Sequence, residues 1–325
     1  MIKIPVVFVH GIGKNGPGYA EALARGIRRE FTAVLQKILR KKENYSGELY
    51  FHEIVWDDIL AFNQARLADI FKKEFLRRKQ KPLFRPWSLA AIVVIFGFII
   101  PLVFRNPWLV SFLLVAVWMY VKILLENLRT GIAAEFINDI ISYRQPDAHR
   151  RIMERMHQQV EGLAAAGWKD INFISHSLGT VIASDYVWDE QQTGDLFGRS
   201  VDLNNFFTLG SPLPLFSLQF GGPDVFNKPF RLQTPGARWI NIYDQDDPIA
   251  YPLKNLNEAY DRTVLRDAEV NVGCFGKAHL DYWVSKHVAR MIAHKLALDW
   301  LRQNQQLPDE DIRSLSETYD RMLHL

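Results

Sequence analysis

The chain has 325 residues, enough to bury a substantial core in one large α/β domain. Its net charge of +3 is too weak to imply nucleic acid, and no alternation of basic and aromatic residues resembles a nucleic-acid surface. The single cysteine, Cys274, excludes an internal disulfide; no Cys/His cluster has metal-ligand spacing and no P-loop or dinucleotide fingerprint occurs, so neither a metal nor a cofactor is expected.

The first element in chain order is Ile4-Pro5-Val6-Val7-Phe8-Val9, an apolar run that reads as a buried strand. Met1 leads directly into it, so no secretory signal is expected and the body of the protein is placed in the cytosol. The strand ends in His10-Gly11-Ile12-Gly13, a glycine-rich turn that lets backbone approach a substrate closely. The N–H of Ile12 is assigned there as an oxyanion donor. His10 reads as the source of a structural hydrogen bond holding the turn, in preference to a catalytic base.

A helix follows over Gly18 to Leu39, a strand over Leu49 to Trp56, and an amphipathic helix over Asp58 to Lys79. The stretch Lys72 to Arg85 is strongly basic, and anionic headgroups attract such a stretch by roughly 1 kcal/mol per basic residue near the surface. Residues 87–125 are then almost wholly apolar in two arms of about 16 to 19 residues, close to the length that spans a bilayer, broken at Arg105-Asn106-Pro107. Trp87, Trp108 and Trp118 suit interfacial anchoring, and Arg105 at the tip reaches the far interface or snorkels back. Three readings fit this segment: a membrane-inserting helical hairpin, which is preferred; a hydrophobic lid or shallow anchor beside the active site; and a buried hairpin at an oligomer interface. The uniformly apolar arms argue against the third, because a helix of a soluble protein keeps a polar face. The positive flanks favour keeping both hairpin ends, and with them the catalytic domain, on the cytoplasmic side.

Helices are expected over Glu126 to Tyr143 and Asp147 to Ala166. The next run, Ile171-Asn172-Phe173-Ile174-Ser175-His176-Ser177-Leu178-Gly179, is an apolar strand ending in small-His-Ser-Leu-Gly, with helix-compatible sequence from Thr180 to Trp188 behind it. A serine at such a strand-to-helix turn has its hydroxyl pushed into the open, as in a nucleophile elbow. Ser175 and Gly179 flank Ser177 at two residues' distance, where a larger side chain would collide across the turn. The N–H of Leu178, at the start of the helix, supplies a second oxyanion donor. His176 packs below the elbow in this reading.

Asn205 to Leu209 reads as a strand, Gly210-Ser211-Pro212 as a pocket wall, and Gly210 to Gly236 as substrate-side loops. A further strand, Arg238 to Tyr243, delivers three carboxylates at Asp244, Asp246 and Asp247. Asp247 is preferred as the acid because it stands before Pro248-Ile249, while Asp244 and Asp246 suit turn chemistry. Ala268 to Val272 is a short strand leading through a loop to His279, and a helix over Tyr282 to Arg302 closes the core. His279 on its loop can swing onto a nucleophile, whereas His52, His149, His157, His287 and His294 fall inside elements. Cys274 as the nucleophile is disfavoured, since no elbow surrounds it. The end of the chain, from Leu307, is a Pro-started amphipathic tail that docks on the body or on a partner.

The order Ser, Asp, His along the chain is that of one fold in particular. The segments Val9 to Gly13, Ser175 to Gly179, Thr208 to Leu213, Tyr243 to Ile249 and Ala278 to Trp283 together resemble the α/β-hydrolases, in the branch of compact bacterial lipases and lipase-like relatives of GPI-inositol deacylases. The resemblance implies Ser177 as nucleophile, Asp247 as acid, His279 as base, and Ile12 and Leu178 as oxyanion donors. It departs from the pattern at Ser175, where the first glycine of the elbow is usual. The alternation of strands with helices implies an α/β fold with a mostly parallel sheet of about six or seven strands and helices on both faces, and the hydrophobic helical hairpin interrupts this hydrolase pattern. The expected divisions are 1–84 and 127–304 for the two parts of the core, 85–126 for the hairpin and 305–325 for the tail. The expected function is a membrane-associated serine ester hydrolase, a lipase or esterase extending to phospholipase, acting through an acyl-enzyme on a lipid or another apolar acyl ester. The alternatives are an acyltransferase using the same triad and a non-catalytic membrane scaffold. The partners expected are the bilayer through 87–125 and anionic lipid through Lys72 to Arg85, with homo-oligomerisation left open.

Overall fold

The computed structural model of the protein describes residues 2–12, 15–59, 140–194, 196–219, 221, 232, 234, 236–254, 256–263, 266–274 and 277–323. The chain divides into two compact units, Met1–Ile59 with Pro146–Leu325, and Leu60–Gln145. The hairpin at 87–125 with Trp87, Arg105, Trp108 and Trp118, the basic stretch Lys72 to Arg85, nearly all of the helices expected over Asp58 to Lys79 and Glu126 to Tyr143, and most of the loops between Gly210 and Gly236 lie outside the described residues. Among the described residues no helix is long and apolar enough to cross a membrane.

The first unit is α/β. Among the described residues its strands are β1 (Ile4–Val9), β2 (Leu49–Ile54), β3 (Asp170–His176), β4 (Asp202–Leu209), β5 (Arg238–Tyr243) and β6 (Arg266–Glu269). They form one sheet in the order β2-β1-β3-β4-β5-β6, and every pairing is parallel. The helices are α1 (Glu21–Leu39), α2 (Pro146–Ala165), α3 (Leu178–Thr193), α4 (Leu213–Gln219), α5 (Glu258–Thr263), α6 (Ala278–Asp281), α7 (Lys286–Gln303) and α8 (Asp309–Met322).

A parallel sheet covered on both faces needs strands that are apolar throughout, and β1 is buried at all six positions. Side chains alternate between the faces. Val6 and Phe8 of β1, Ile174 of β3, Phe207 and Leu209 of β4 and Ile240 and Ile242 of β5 join one core cluster with Leu23, Ile27 and Phe31 of α1 and Ile292, Leu296 and Trp300 of α7. Helix α3 packs with α2 and against β3 and β1. The first ten residues of α3, Leu178 to Val187, are all buried, so this part of the helix is enclosed on every side instead of showing one face to solvent.

The tail is part of this unit. Ile312, Tyr319 and Leu323 of the α8 segment are buried in the same cluster as α1 and α7, with Leu315 half-buried against it.

Several expected boundaries shift. Strand β4 begins at Asp202, three residues before the expected start, because Asp170 and Ile171 of β3 pair with Asp202 and Leu203 ahead of a register shift at Ile171/Asn172. Strand β6 ends at Glu269 instead of running to Val272, since its pairing with β5 stops at Tyr243–Glu269 and the chain then turns to meet Asp244. The closing helix starts at Lys286, four residues after the expected Tyr282. Ser285 precedes it as an N-cap whose hydroxyl oxygen accepts from the N–H of Val288.

Candidate functional site

Parallel strands present all their carboxyl ends at one edge of the sheet, where loops from separate strands meet. β1 delivers His10 to Ile12 there, β3 delivers His176 and Ser177, β4 delivers Gly210 and Ser211, and β5 delivers Asp244 to Asp247.

Ser177 sits between β3 and α3 with φ 53° and ψ −130°. That is a region a non-glycine residue adopts only at a cost of order 1–3 kcal/mol, and only where its surroundings enforce it. The enforcing bonds are on both sides of the residue. The Ser177 N–H donates to the Leu209 carbonyl (3.0 Å), and its carbonyl accepts from the N–H (2.9 Å) and hydroxyl (2.7 Å) of Thr180. The Thr180 hydroxyl in turn accepts from Ser211 at 2.8 Å, which ties the turn to the loop after β4.

Glycines make the turn sterically feasible. A Cβ at Gly179 would collide with the His10 carbonyl oxygen and stand 2.6 Å from that of Val9. A Cβ at Gly11 would stand 2.5 Å from the Ser177 Cβ and 3.1 Å from its Oγ. Ser175, in place of the expected glycine, is accommodated because its hydroxyl turns to the Phe207 carbonyl at 3.2 Å.

Ser177, His279 and Asp247 form one hydrogen-bonded line. His279 Nε2 lies 2.8 Å from Ser177 Oγ, and His279 Nδ1 lies 2.8 Å from Asp247 Oδ2. The carboxylate only accepts, so Nδ1 carries the proton and Nε2 offers its lone pair to the serine hydroxyl. Asp247 is buried and its Oδ1 also accepts from the Ile249 N–H at 3.1 Å. Asp246 is exposed. Asp244 is buried and does more than cap its turn: Oδ1 accepts from the Asp246 N–H at 2.9 Å, while Oδ2 accepts from the Val272 N–H at 2.6 Å, 28 residues on.

Two expectations are corrected by position. His279 lies in the short helix α6 and not on a free loop; Ala278 packs into the core and fixes that turn. Ser177 is 0% exposed, so its hydroxyl is enclosed rather than open to solvent.

The two remaining histidines of the site are neutral braces. His176 Nε2 lies 2.7 Å from the His279 carbonyl, which only accepts, so Nε2 donates. Burial holds the His176 pKa well below its ordinary value, with the neighbouring His279 adding to the effect. His10 Nδ1 donates to the Gly11 carbonyl at 2.7 Å and its Nε2 accepts from the Trp56 N–H at 3.3 Å, with the Trp56 indole stacked on the ring at 4.6 Å. Burial lowers its pKa despite Asp57 nearby.

Leu178 opens α3, so its N–H belongs to the first turn, where no intrahelical acceptor exists. Ile12 follows the residue whose backbone abuts the Ser177 side chain. Cys274 is exposed and stands outside the line of Ser177, His279 and Asp247. Among the described residues no cluster of three or more His, Cys, Asp or Glu could hold a metal ion.

Sequence reasoning missed Tyr282 and the role of Gly210. The Tyr282 hydroxyl accepts from the Asp244 N–H at 2.8 Å, and burial together with the Asp247 carboxylate raises its pKa. Gly210, at φ 58°, lies where a Cβ would come 2.8 Å from Tyr282 Cε2 and 3.0 Å from Asp247 Oδ2. The Gly-Ser-Pro loop carried the only sequence signal for it. Compared with known proteins, the chain matches no protein-family model and no curated sequence.

Proposed function

We propose that this protein is a serine ester hydrolase of the α/β-hydrolase type, acting on an apolar acyl ester. The observation that carries the reading is the line Ser177 Oγ, His279 Nε2 and Nδ1, Asp247 Oδ2, anchored on a serine held at positive φ. An ordinary buried serine has no need of that backbone conformation.

The chemistry follows from the tautomer. His279 Nε2 takes the hydroxyl proton as Ser177 Oγ bonds to the ester carbonyl carbon, and Asp247 steadies the imidazolium. The carbonyl oxygen becomes an oxyanion, for which the N–H groups of Leu178 and Ile12 are the donors in this reading. The tetrahedral species collapses, the C–O bond to the alcohol breaks, and His279 returns its proton to the departing oxygen. Water, deprotonated by the same Nε2, then attacks the acyl carbon and releases the acid and Ser177.

A lipid substrate is suggested by residues 87–125 and the basic stretch before them, both read from sequence. The test is a fluorophosphonate probe with peptide mass analysis. Modification at Ser177, with loss of about 10⁴- to 10⁶-fold in kcat for p-nitrophenyl esters in Ser177→Ala, is expected. Hydrolysis by Ser177→Ala at the parent rate would sink the reading.

A further inference from the structure

The acid and the base reach the site on different segments, and each must be held to the other. The segment bearing the base is the weaker. Helix α6 is four residues long, far too short to be stable on its own. Tyr282 directly follows it and stands three residues after His279, a spacing that puts both side chains on one face of the turn. Both reach the turn of the acid. Oδ2 of the Asp247 carboxylate meets His279 Nδ1 at 2.8 Å. The hydroxyl of the fully buried Tyr282 accepts from the Asp244 N–H at 2.8 Å, at the head of the turn that carries Asp247. In the reverse direction, Asp244 Oδ2 accepts from the Val272 N–H at 2.6 Å and the Gly273 N–H at 3.4 Å, at the head of the segment that carries His279. Gly210 leaves the space in which Tyr282, Asp247 and His279 converge.

We infer that Tyr282 is a positioning residue for the acid–base pair: its hydroxyl, accepting from the Asp244 N–H, holds the turn that bears Asp247 in place against the segment that bears His279. This rests on the hydrolase reading. A tyrosine placed only to fill the core would not need its hydroxyl to take a backbone N–H from the turn of the acid. The two ties cross, one from the base's segment to the acid's turn and one back, so neither segment can shift without breaking a bond to the other.

Tyr282→Phe keeps the ring and removes the hydroxyl. With p-nitrophenyl ester as substrate, kcat falls about 10- to 100-fold, the range for losing a group that orients a catalytic side chain, while KM is unchanged. In an Asp247→Asn background the same substitution costs nothing further. A readout free of turnover is the downfield proton resonance of the His279 imidazole Nδ1–H, sharp in the parent, absent in Asp247→Asn and broadened in Tyr282→Phe. Equal losses of kcat in both backgrounds, a loss expressed in KM alone, or a resonance that is missing from the parent or unchanged in Tyr282→Phe would each overturn the inference. Retained hydrolysis in Ser177→Ala would overturn the hydrolase reading instead, and the resonance would still decide whether Tyr282 orients the pair.

Discussion

Gly179 Cα faces the carbonyl oxygens of Val9 and His10 so closely that the first turn of α3 and the end of β1 touch backbone to backbone. A methyl group there has no flexible side chain to displace. Gly179→Ala therefore forces the two elements apart, at a cost of about 1–3 kcal/mol or more. Thermal unfolding should show a drop of several degrees, with hydrolysis lost in parallel because the turn carrying Ser177 moves. An unchanged melting temperature would contradict the packing.

The conformation of Ser177 allows an inverted stability test. At most sites glycine is about 0.5–1 kcal/mol less stable than alanine. At φ 53° and ψ −130° alanine retains the strain and glycine relieves it. Ser177→Gly is expected to be more stable than Ser177→Ala by about 1 kcal/mol in denaturant titration, although both lack the hydroxyl. The usual order would show that the turn is relaxed.

Asp246 and Asp247 are adjacent and differ completely in environment. Asp247 is buried against His279 Nδ1, while Asp246 is exposed. Asp247→Asn leaves the geometry intact but favours the wrong imidazole tautomer, so kcat should fall about 10⁴-fold. Asp246→Asn should stay within a few-fold of the parent. The opposite ranking would reassign the acid.

Acid sensitivity follows from His10 and His176, both held neutral by burial below the ordinary value of 6.5. Below that value the unfolded chain binds protons that the folded chain refuses. Stability is therefore fully present above about pH 6.5 and is lost as pH falls toward the folded-state values. With two such groups the slope approaches about 2.7 kcal/mol per pH unit. Melting temperatures measured between pH 7.5 and 5 should fall on acidification, and less steeply in His176→Asn. A parent profile flat over that range would mean that both rings protonate freely in the fold.

Much of this architecture was readable from residue pattern. Continuous apolar runs such as Ile4–Val9 identify strands buried on both faces, and small residues around Ser177 identify a tight turn. Boundaries were harder. The end of β6 depends on where its partner β5 stops, and the start of α7 after Ser285 depends on a cap that competes with helix-forming neighbours. Tyr282 was beyond reach for another reason. Nothing local distinguishes a tyrosine that packs in a core from one whose hydroxyl meets a backbone amide 38 residues earlier. The seclusion of Ser177 is likewise a property of everything around it.

The pairing of α1 with α7, and of Ile2 with Asn304 at 302 residues' separation, bears on biogenesis. Until residues 278–303 have been made, β1 lacks its α7 neighbours and α6 has not been delivered. A nascent or prematurely terminated polypeptide thus carries the serine without the imidazole. On the hydrolase reading proposed above, such fragments lack the base for Ser177, which comes only with the late segment that packs on the early helix.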